Sequence, residues 1–243
     1  MSRHHPSREH AKADSDHDPD ELNMLPVLFL ALVFILFVVP VSGTMPYANE
    51  LLRFGLTAVL VSGAIIARHR RLLFSAGLIT VIIAAPLSWL AMFVDHPAIF
   101  IASCVVNCGF FVAMAVVILL SVVRKHVATV SSIFGAISSY LLLGLAWAVL
   151  YWGIEHASDG AFSVARPGTA ITLEGATDQV EELSQFIYFS FVTMSTLGYG
   201  DITPQTPLTQ TLTWMQSVSG QFYIAVLVAW LVSEIPRQRK HAP

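Results

Sequence analysis

Apolar stretches of similar length recur along this chain, and they constrain its fold more than any other feature. A helix needs roughly 20 apolar residues to cross a hydrocarbon core of about 30 Å. Apolar residues make up 55% of the chain, charged residues make up 12%, and the mean hydropathy is +0.68. A soluble globular domain rarely has such a composition. Six candidate spans follow: Met24–Val41, Leu51–Ala67, Leu72–Val94, Ala98–Val123, Val130–Ile154 and Pro207–Ser233.

The sequence therefore predicts an all-α membrane protein with six transmembrane helices. A seventh apolar stretch, Leu183–Ser195, is too short to cross, and it directly precedes the sequence TLGYG at Thr196–Gly200. We expect a re-entrant helix here, between the fifth and sixth spans, followed by irregular backbone. Such backbone is tolerated at membrane depth only where protein buries it or where it lines a water-filled path. The TLGYG segment (Thr196–Gly200) is thus expected to line a path.

Basic residues predict the orientation of the chain. Arg53 and Arg166 are the two basic residues that fall on one side of the predicted membrane, and all the other basic residues fall on the opposite side. The remaining basic residues precede the first span or follow the second, fourth and sixth spans: Arg3, Arg8, Lys12, Arg68, Arg70, Arg71, Arg124, Lys125, Arg237, Arg239 and Lys240. The positive-inside rule then places both termini in the cytoplasm. We expect a multi-pass protein of the cell membrane, plasma or inner, with the TLGYG segment facing outward.

The two glycines of the TLGYG segment indicate a particular backbone. Glycine enters the left-handed region without steric cost, so Gly198 and Gly200 allow successive carbonyl groups to point the same way. One chain would supply a single row of carbonyl oxygens, from Thr196, Leu197, Gly198 and Tyr199, together with the Thr196 hydroxyl. Four rows around an axis form rings of oxygen that can replace the hydration shell of a potassium ion. The pattern implies a homotetramer.

From about Val130 to Ser233 the sequence resembles the potassium channel family, whose signature T-V-G-Y-G lies in a pore loop between two helices. Residues Thr196 to Asp201 read TLGYGD and stand at this signature, with leucine in place of valine. The resemblance implies a potassium-selective channel for passive transport. It also implies a potassium-binding selectivity filter made of Thr196, Leu197, Gly198, Tyr199 and Gly200.

Other residues receive roles from the same resemblance. Asp201, Tyr188 and Ser195 are expected to support the filter. Tyr188 could hydrogen-bond to Asp201, and an interfacial aromatic anchor describes Tyr188 equally well. Gly220 lies twenty positions beyond Gly200, where related inner helices carry a glycine that serves as a gating hinge. A glycine in a membrane helix can also simply permit close packing, and both interpretations of Gly220 stay open.

Helix starts and the outer loop give further expectations. Asp178 and Glu181 form a capping pattern before the re-entrant helix, and Thr206-Pro207 fits the cap and first turn of the last span. The outer loop, about Glu155 to Glu182, has Arg166 as its one basic residue and six acidic residues: Glu155, Asp159, Glu174, Asp178, Glu181 and Glu182. Repeated four times, this acidity could concentrate cations, although exposed loops are commonly charged.

Three parts of the chain are predicted: a disordered cytoplasmic tail at 1–23, a four-helix transmembrane module at 24–128 and a pore module at 129–243. The tail contains His4, His5, His10 and His17, and its composition favours a solvated segment over a metal site. Voltage-gated relatives carry arginine at every third position of the fourth helix, whereas the fourth span here has none. The first four spans therefore form a scaffold of unknown input.

Enzyme motifs are missing from the sequence: it contains neither H-E-x-x-H nor G-x-x-x-x-G-K. We expect no enzymatic activity, no cofactor and no nucleic-acid partner, with potassium ions as permeant ligand and the lipid bilayer as surroundings. Cys104 and Cys108 lie four apart in one apolar helix and are not expected to be bridged. A potassium uptake transporter subunit and a non-conducting membrane sensor or scaffold remain alternatives; the single intact TLGYG segment favours the channel.

Overall fold

The computed structural model describes residues 19–41, 47–66, 79, 81–90, 96–124, 130–166, 169–171 and 179–240. Several predicted features lie outside these residues, namely the tail histidines, Asp178 with its proposed cap, and the basic residues at 68–71 and 125.

Most described residues are helical. Helix α1 (Pro19–Val33) continues through a π-helical segment (Phe34–Val38) into the single turn α2 (Val39–Val41). The remaining helices are α3 (Ala48–Ile66), α4 (Val81–Leu90), α5 (Pro97–Arg124), α6 (Val130–Ala157), α7 (Gln179–Met194) and α8 (Pro207–Lys240). Among the described residues, two helices are long and apolar enough to cross a membrane, Pro97–Val123 and Ser131–Ala157. They coincide with the predicted fourth and fifth spans; the count of six stays a prediction.

Helices α5 and α6 form the most extensive helix pair, and α1 packs against both α6 and α3. Small residues let the pair approach closely, as they do in membrane helices generally. A Cβ atom added at Gly153 of α6 would lie 2.9 Å from the Cβ atom of Cys104 on α5. Cys104 and Cys108 are both free thiols, as predicted.

Helix α7 lies against α6 at a second glycine. A Cβ atom at Gly144 of α6 would come within 2.5 Å of the Phe191 ring, and the buried Ser190 hydroxyl donates to the Gly144 carbonyl at 2.7 Å. These contacts fix the depth of α7 beside α6. They thereby set where the TLGYG segment begins.

A small antiparallel sheet corrects the all-α prediction. Strand β1 (Phe162–Arg166) pairs with β2 (Thr169–Ile171) on one side and β3 (Ile202–Pro204) on the other. Phe162 and Val164 are buried whereas Ser163 is exposed, which is the alternation of a half-buried strand. Strands this short give a weak sequence signal beside long apolar helices. Because β3 follows the TLGYG segment, the sheet ties the outer loop to the end of that segment.

Candidate functional site

The TLGYG segment has an alternating backbone. Thr196, Gly198 and Gly200 have φ angles of 60°, 53° and 77°, while Leu197 and Tyr199 stay at negative φ. Alternation of left- and right-handed residues directs successive peptide groups to the same side of the chain. The two glycines were predicted to be left-handed, but Thr196 was not. Its residue type gave no signal, because β-branched residues are rare at positive φ.

The end of α7 binds the backbone of the TLGYG segment through hydrogen bonds. The Val192 carbonyl accepts the amide hydrogens of Leu197 at 3.0 Å and Gly198 at 3.3 Å, and the Thr196 amide donates to Thr193 at 3.0 Å. The first N–H groups of the segment are therefore bonded to α7. Within the part of the chain that the structure describes, no hydrogen bond to the carbonyl groups of Thr196, Leu197 and Gly198 is formed.

Tyr188 and Asp201 lie beside the TLGYG segment, which itself contains Tyr199. The Tyr188 hydroxyl donates to Asp201 Oδ2 at 2.6 Å, the hydrogen bond expected from the sequence, and Asp201 Oδ1 accepts the Ile202 amide hydrogen at 3.0 Å. The rings of Tyr188 and Tyr199 are stacked, with centroids 6.4 Å apart and an interplanar angle of 5°. Asp201 is thus held from α7 and from its own backbone.

Ser195 contacts the segment through its backbone. Its carbonyl accepts a hydrogen bond from the Thr196 hydroxyl at 2.6 Å, while its own hydroxyl donates back to the Val192 carbonyl at 3.2 Å. Ser195 therefore supports the turn that joins α7 to the TLGYG segment.

Through the Ala161 carbonyl group, the outer loop contacts residues that follow the TLGYG segment. The Ala161 carbonyl accepts the Gln205 amide hydrogen at 2.8 Å and the Thr209 hydroxyl at 3.2 Å. Nearby, the buried Glu155 carboxylate accepts the amide hydrogens of Gly160 at 3.0 Å and Phe162 at 2.9 Å. This carboxylate stabilises the turn that leads into β1, so it does not act as a free surface charge.

Glu182 is also engaged. It accepts the Trp152 indole hydrogen at 2.8 Å, and His156 Nδ1 lies 3.8 Å from its second oxygen. The His156 ring stacks on Phe100, with centroids 4.0 Å apart. Two of the acids predicted to draw cations to the outer mouth thus have structural partners, while Asp159 is exposed.

Helix α8 begins where the sequence predicted. The Thr209 amide donates to the Thr206 hydroxyl at 3.2 Å, which is an N-cap contact, and Pro207 is the first helical residue. Further along, Gly220 is buried, and a Cβ atom there would lie 2.8 Å from the Met194 carbonyl oxygen. Helix α8 continues through Gly220 without interruption. The contact favours the packing interpretation, and the hinge stays a prediction.

A buried polar cluster was missed by the sequence analysis. Gln216 of α8, Ser190 of α7 and Tyr151 of α6 are each fully buried. Gln216 accepts a hydrogen bond from the Tyr151 hydroxyl at 2.8 Å and donates to the Ser190 hydroxyl at 2.6 Å. A glutamine within an apolar span was the available signal, because polar groups in membrane helices need partners.

Arg53 docks α3 onto the start of α7. Its guanidinium is buried and donates to the Ser88 carbonyl and to Gln179 Oε1 at 2.8 Å. Gln179 is the first residue of α7. The helices before α6 are therefore in direct contact with the helix that precedes the TLGYG segment.

One face of the molecule is left open in the single chain. The residues from Ser195 to Gly200 are all exposed, and Tyr199 is 65% exposed. Large apolar side chains of α8 are exposed as well: Leu208, Trp214, Met215, Val218, Phe222, Val226 and Val232. Apolar surface of this extent is typical of a face that lipid or another chain covers.

Comparisons with known proteins match parts of the chain. Residues 161–235 match the family described as "Ion channel". An 80-residue stretch is 32% identical to "Two pore potassium channel c" of Oryza sativa subsp. japonica. The stretch covers 33% of this chain and 17% of that relative. No solved structure matches the chain.

Proposed function

We propose that the chain assembles as a homotetramer whose central pore conducts potassium ions passively across a membrane, because residues 161–235 match the "Ion channel" family and an 80-residue stretch resembles a potassium channel of rice. The alternating backbone of the TLGYG segment carries this proposal, with positive φ at Thr196, Gly198 and Gly200. Four such segments around an axis would offer stacked rings of carbonyl oxygens to dehydrated ions. Thr196, Leu197, Gly198 and Tyr199 supply those oxygens.

The open face supports the fourfold assembly. A single TLGYG segment offers one row of carbonyls, and both this segment and α8 are exposed in the single chain. Neighbouring copies in a closed fourfold arrangement would cover part of this surface. In this arrangement α7 is the re-entrant pore helix and α8 is the inner helix. The carboxyl end of α7 carries partial negative charge, which favours a cation in the cavity below the filter.

The remaining chain is assigned in the same proposal. Residues 24–128 form a transmembrane module around the pore module at 129–243, both termini lie in the cytoplasm, and the pore lies in the cell membrane. Arg53 links the two modules through Gln179. The name of the rice relative gives potassium as the ion of that protein, which supports the same ion here.

Purified protein in planar bilayers tests the proposal. With unequal potassium and sodium on the two sides, we expect unitary currents whose reversal potential follows the potassium gradient. Native mass measurement of the same preparation should give four chains per particle. A reversal potential that follows sodium equally well would contradict potassium selectivity. Transport at carrier turnover rates would favour the uptake transporter, and tetramers without current would favour the scaffold.

A further inference from the structure

Three buried polar side chains join the three helices of the pore module behind the TLGYG segment. We call them the Gln216 cluster: Tyr151 of α6, Ser190 of α7 and Gln216 of α8. Gln216 Nε2 donates to both the carbonyl and the hydroxyl oxygen of Ser190, at 3.1 and 2.6 Å. Gln216 Oε1 accepts from Tyr151 at 2.8 Å. Ser190 in turn donates to the Gly144 carbonyl at 2.7 Å.

A second contact lies one helical turn further along both helices. Gly220 follows Gln216 by four residues, and Met194 follows Ser190 by four. The position that a Cβ atom would take at Gly220 lies 2.8 Å from the Met194 carbonyl oxygen. Helices α7 and α8 are therefore held at two points, one by hydrogen bonds and one by close backbone approach.

These two points lie directly before the TLGYG segment. Met194 ends α7 and Thr196 has the first left-handed backbone. The Val192 carbonyl, which accepts from Leu197 and Gly198, lies between Ser190 and Met194. A shift of α7 along α8 would carry this carbonyl with it and displace the amides it holds.

Stability alone does not account for a glutamine at this place. Replacing a buried set of hydrogen-bonded groups by apolar groups of similar shape is often neutral or stabilising. Hydrogen bonds are directional, however, and the Gln216 amide meets Tyr151 and both Ser190 oxygens only at one setting of α8 against α7. Apolar side chains would allow neighbouring settings at similar energy.

We propose that Gln216 is a positioning residue for the TLGYG segment: it fixes α7 against α8 and thereby sets the spacing of the carbonyl rings. The inference rests on the proposed channel function, and it assigns potassium selectivity in part to a side chain that does not touch the ion.

An apolar replacement of the whole cluster separates positioning from stability. The triple variant Tyr151→Phe, Ser190→Ala, Gln216→Leu leaves no polar side chain of the cluster unpaired, so we expect tetramers with a thermal midpoint close to that of the unmodified protein. The potassium-to-sodium permeability ratio should fall by roughly tenfold, the effect of one or two lost hydrogen bonds on ring geometry. Ser62→Ala is the control, since among the described residues this buried hydroxyl donates to the Val59 carbonyl of its own helix, α3.

A conservative variant adds a second measurement. Gln216→Glu keeps the size and the acceptor for Tyr151, but a carboxyl group has at most one donor where the amide gives two to Ser190, so an intermediate permeability ratio is expected. Should the triple variant fail to assemble, this variant decides the question by the same ratio. An unchanged ratio in the assembled triple variant, or in Gln216→Glu, would overturn the positioning role. Absence of potassium-selective current in the unmodified protein would instead overturn the proposed function and this inference with it.

Discussion

Thr196 adopts a backbone conformation that threonine rarely takes. Its φ of 60° lies in the left-handed region, where a β-branched residue costs on the order of 1–3 kcal/mol. The hydrogen bond from its amide to Thr193 and the hydroxyl contact with Ser195 offset part of that cost. Threonine supplies a hydroxyl group at the start of the segment, which glycine could not supply.

Gly198→Ala should abolish potassium-selective current. Among the described residues of the single chain, nothing lies within 4 Å of the position that its Cβ atom would occupy, so within one chain the expected loss comes from φ. Alanine costs roughly 1–2 kcal/mol in the left-handed region, and the cost recurs in every copy. Reversal potentials measure the effect. Gly109→Ala in α5 is the control, because that position is also open but helical; equal loss in both variants would show that backbone strain is not the cause.

Gly220→Ala should disturb the end of α7. The added methyl group would meet the Met194 carbonyl oxygen and Cα atom at 2.8 and 3.2 Å, distances that backbone atoms can relieve only by moving. We expect a lower thermal midpoint of the tetramer together with reduced potassium selectivity. A change in open probability alone, with selectivity and stability intact, would favour the hinge.

Among the elements, the three-stranded sheet links the outer loop to the exit of the TLGYG segment. Strand β1 pairs with β3 through Phe162 with Pro204, Ser163 with Thr203 and Val164 with Ile202. β3 begins two residues after Gly200. The segment is thus held by α7 at its inner end and by a strand at its outer end, which restricts movement at both ends.

Glu155→Gln should destabilise this sheet. The carboxylate accepts two backbone amide hydrogens, whereas the glutamine amide group would place a donor against one of them. An unsatisfied buried donor costs about 1–3 kcal/mol. Differential hydrogen exchange at Ala161 to Val164 measures the loosening, and Asp159→Asn serves as the exposed control. Slow exchange that persists in Glu155→Gln would show that strand pairing alone holds the loop.

The helices and the sheet differ in how far the sequence predicts them. Long apolar runs indicated α5 and α6, and Thr206-Pro207 marked the start of α8, because burial and capping act on neighbouring residues. The strands of FSVAR and ITP are three to five residues long and depend on pairing across 40 residues of chain. The sequence likewise did not predict which residues hydrogen-bond to Gln216, because only the packing of three helices brings Tyr151 and Ser190 to it.

For the whole molecule, conductance should depend only weakly on voltage. Moving one elementary charge through the membrane field changes the energy by about 2.3 kcal/mol per 100 mV. Helix α5 has no basic residue before Arg124 at its end, and Arg53 is fixed by hydrogen bonds to Ser88 and Gln179. Conductance measured across physiological potentials in symmetric potassium checks this. A steep sigmoid with gating-charge movement would show that another group senses the field.

The open face of the single chain has a consequence for inheritance. Each copy would contribute one quarter of every carbonyl ring. One variant copy would therefore abolish selective conduction in its tetramer even when the other three copies are normal. A cell that makes equal amounts of normal and Gly198→Ala chains would form only roughly one sixteenth of its pores from normal copies alone, if chains mix at random. A lesion in the TLGYG segment would therefore behave as dominant, whereas one that prevents a chain from joining its neighbours would behave as recessive.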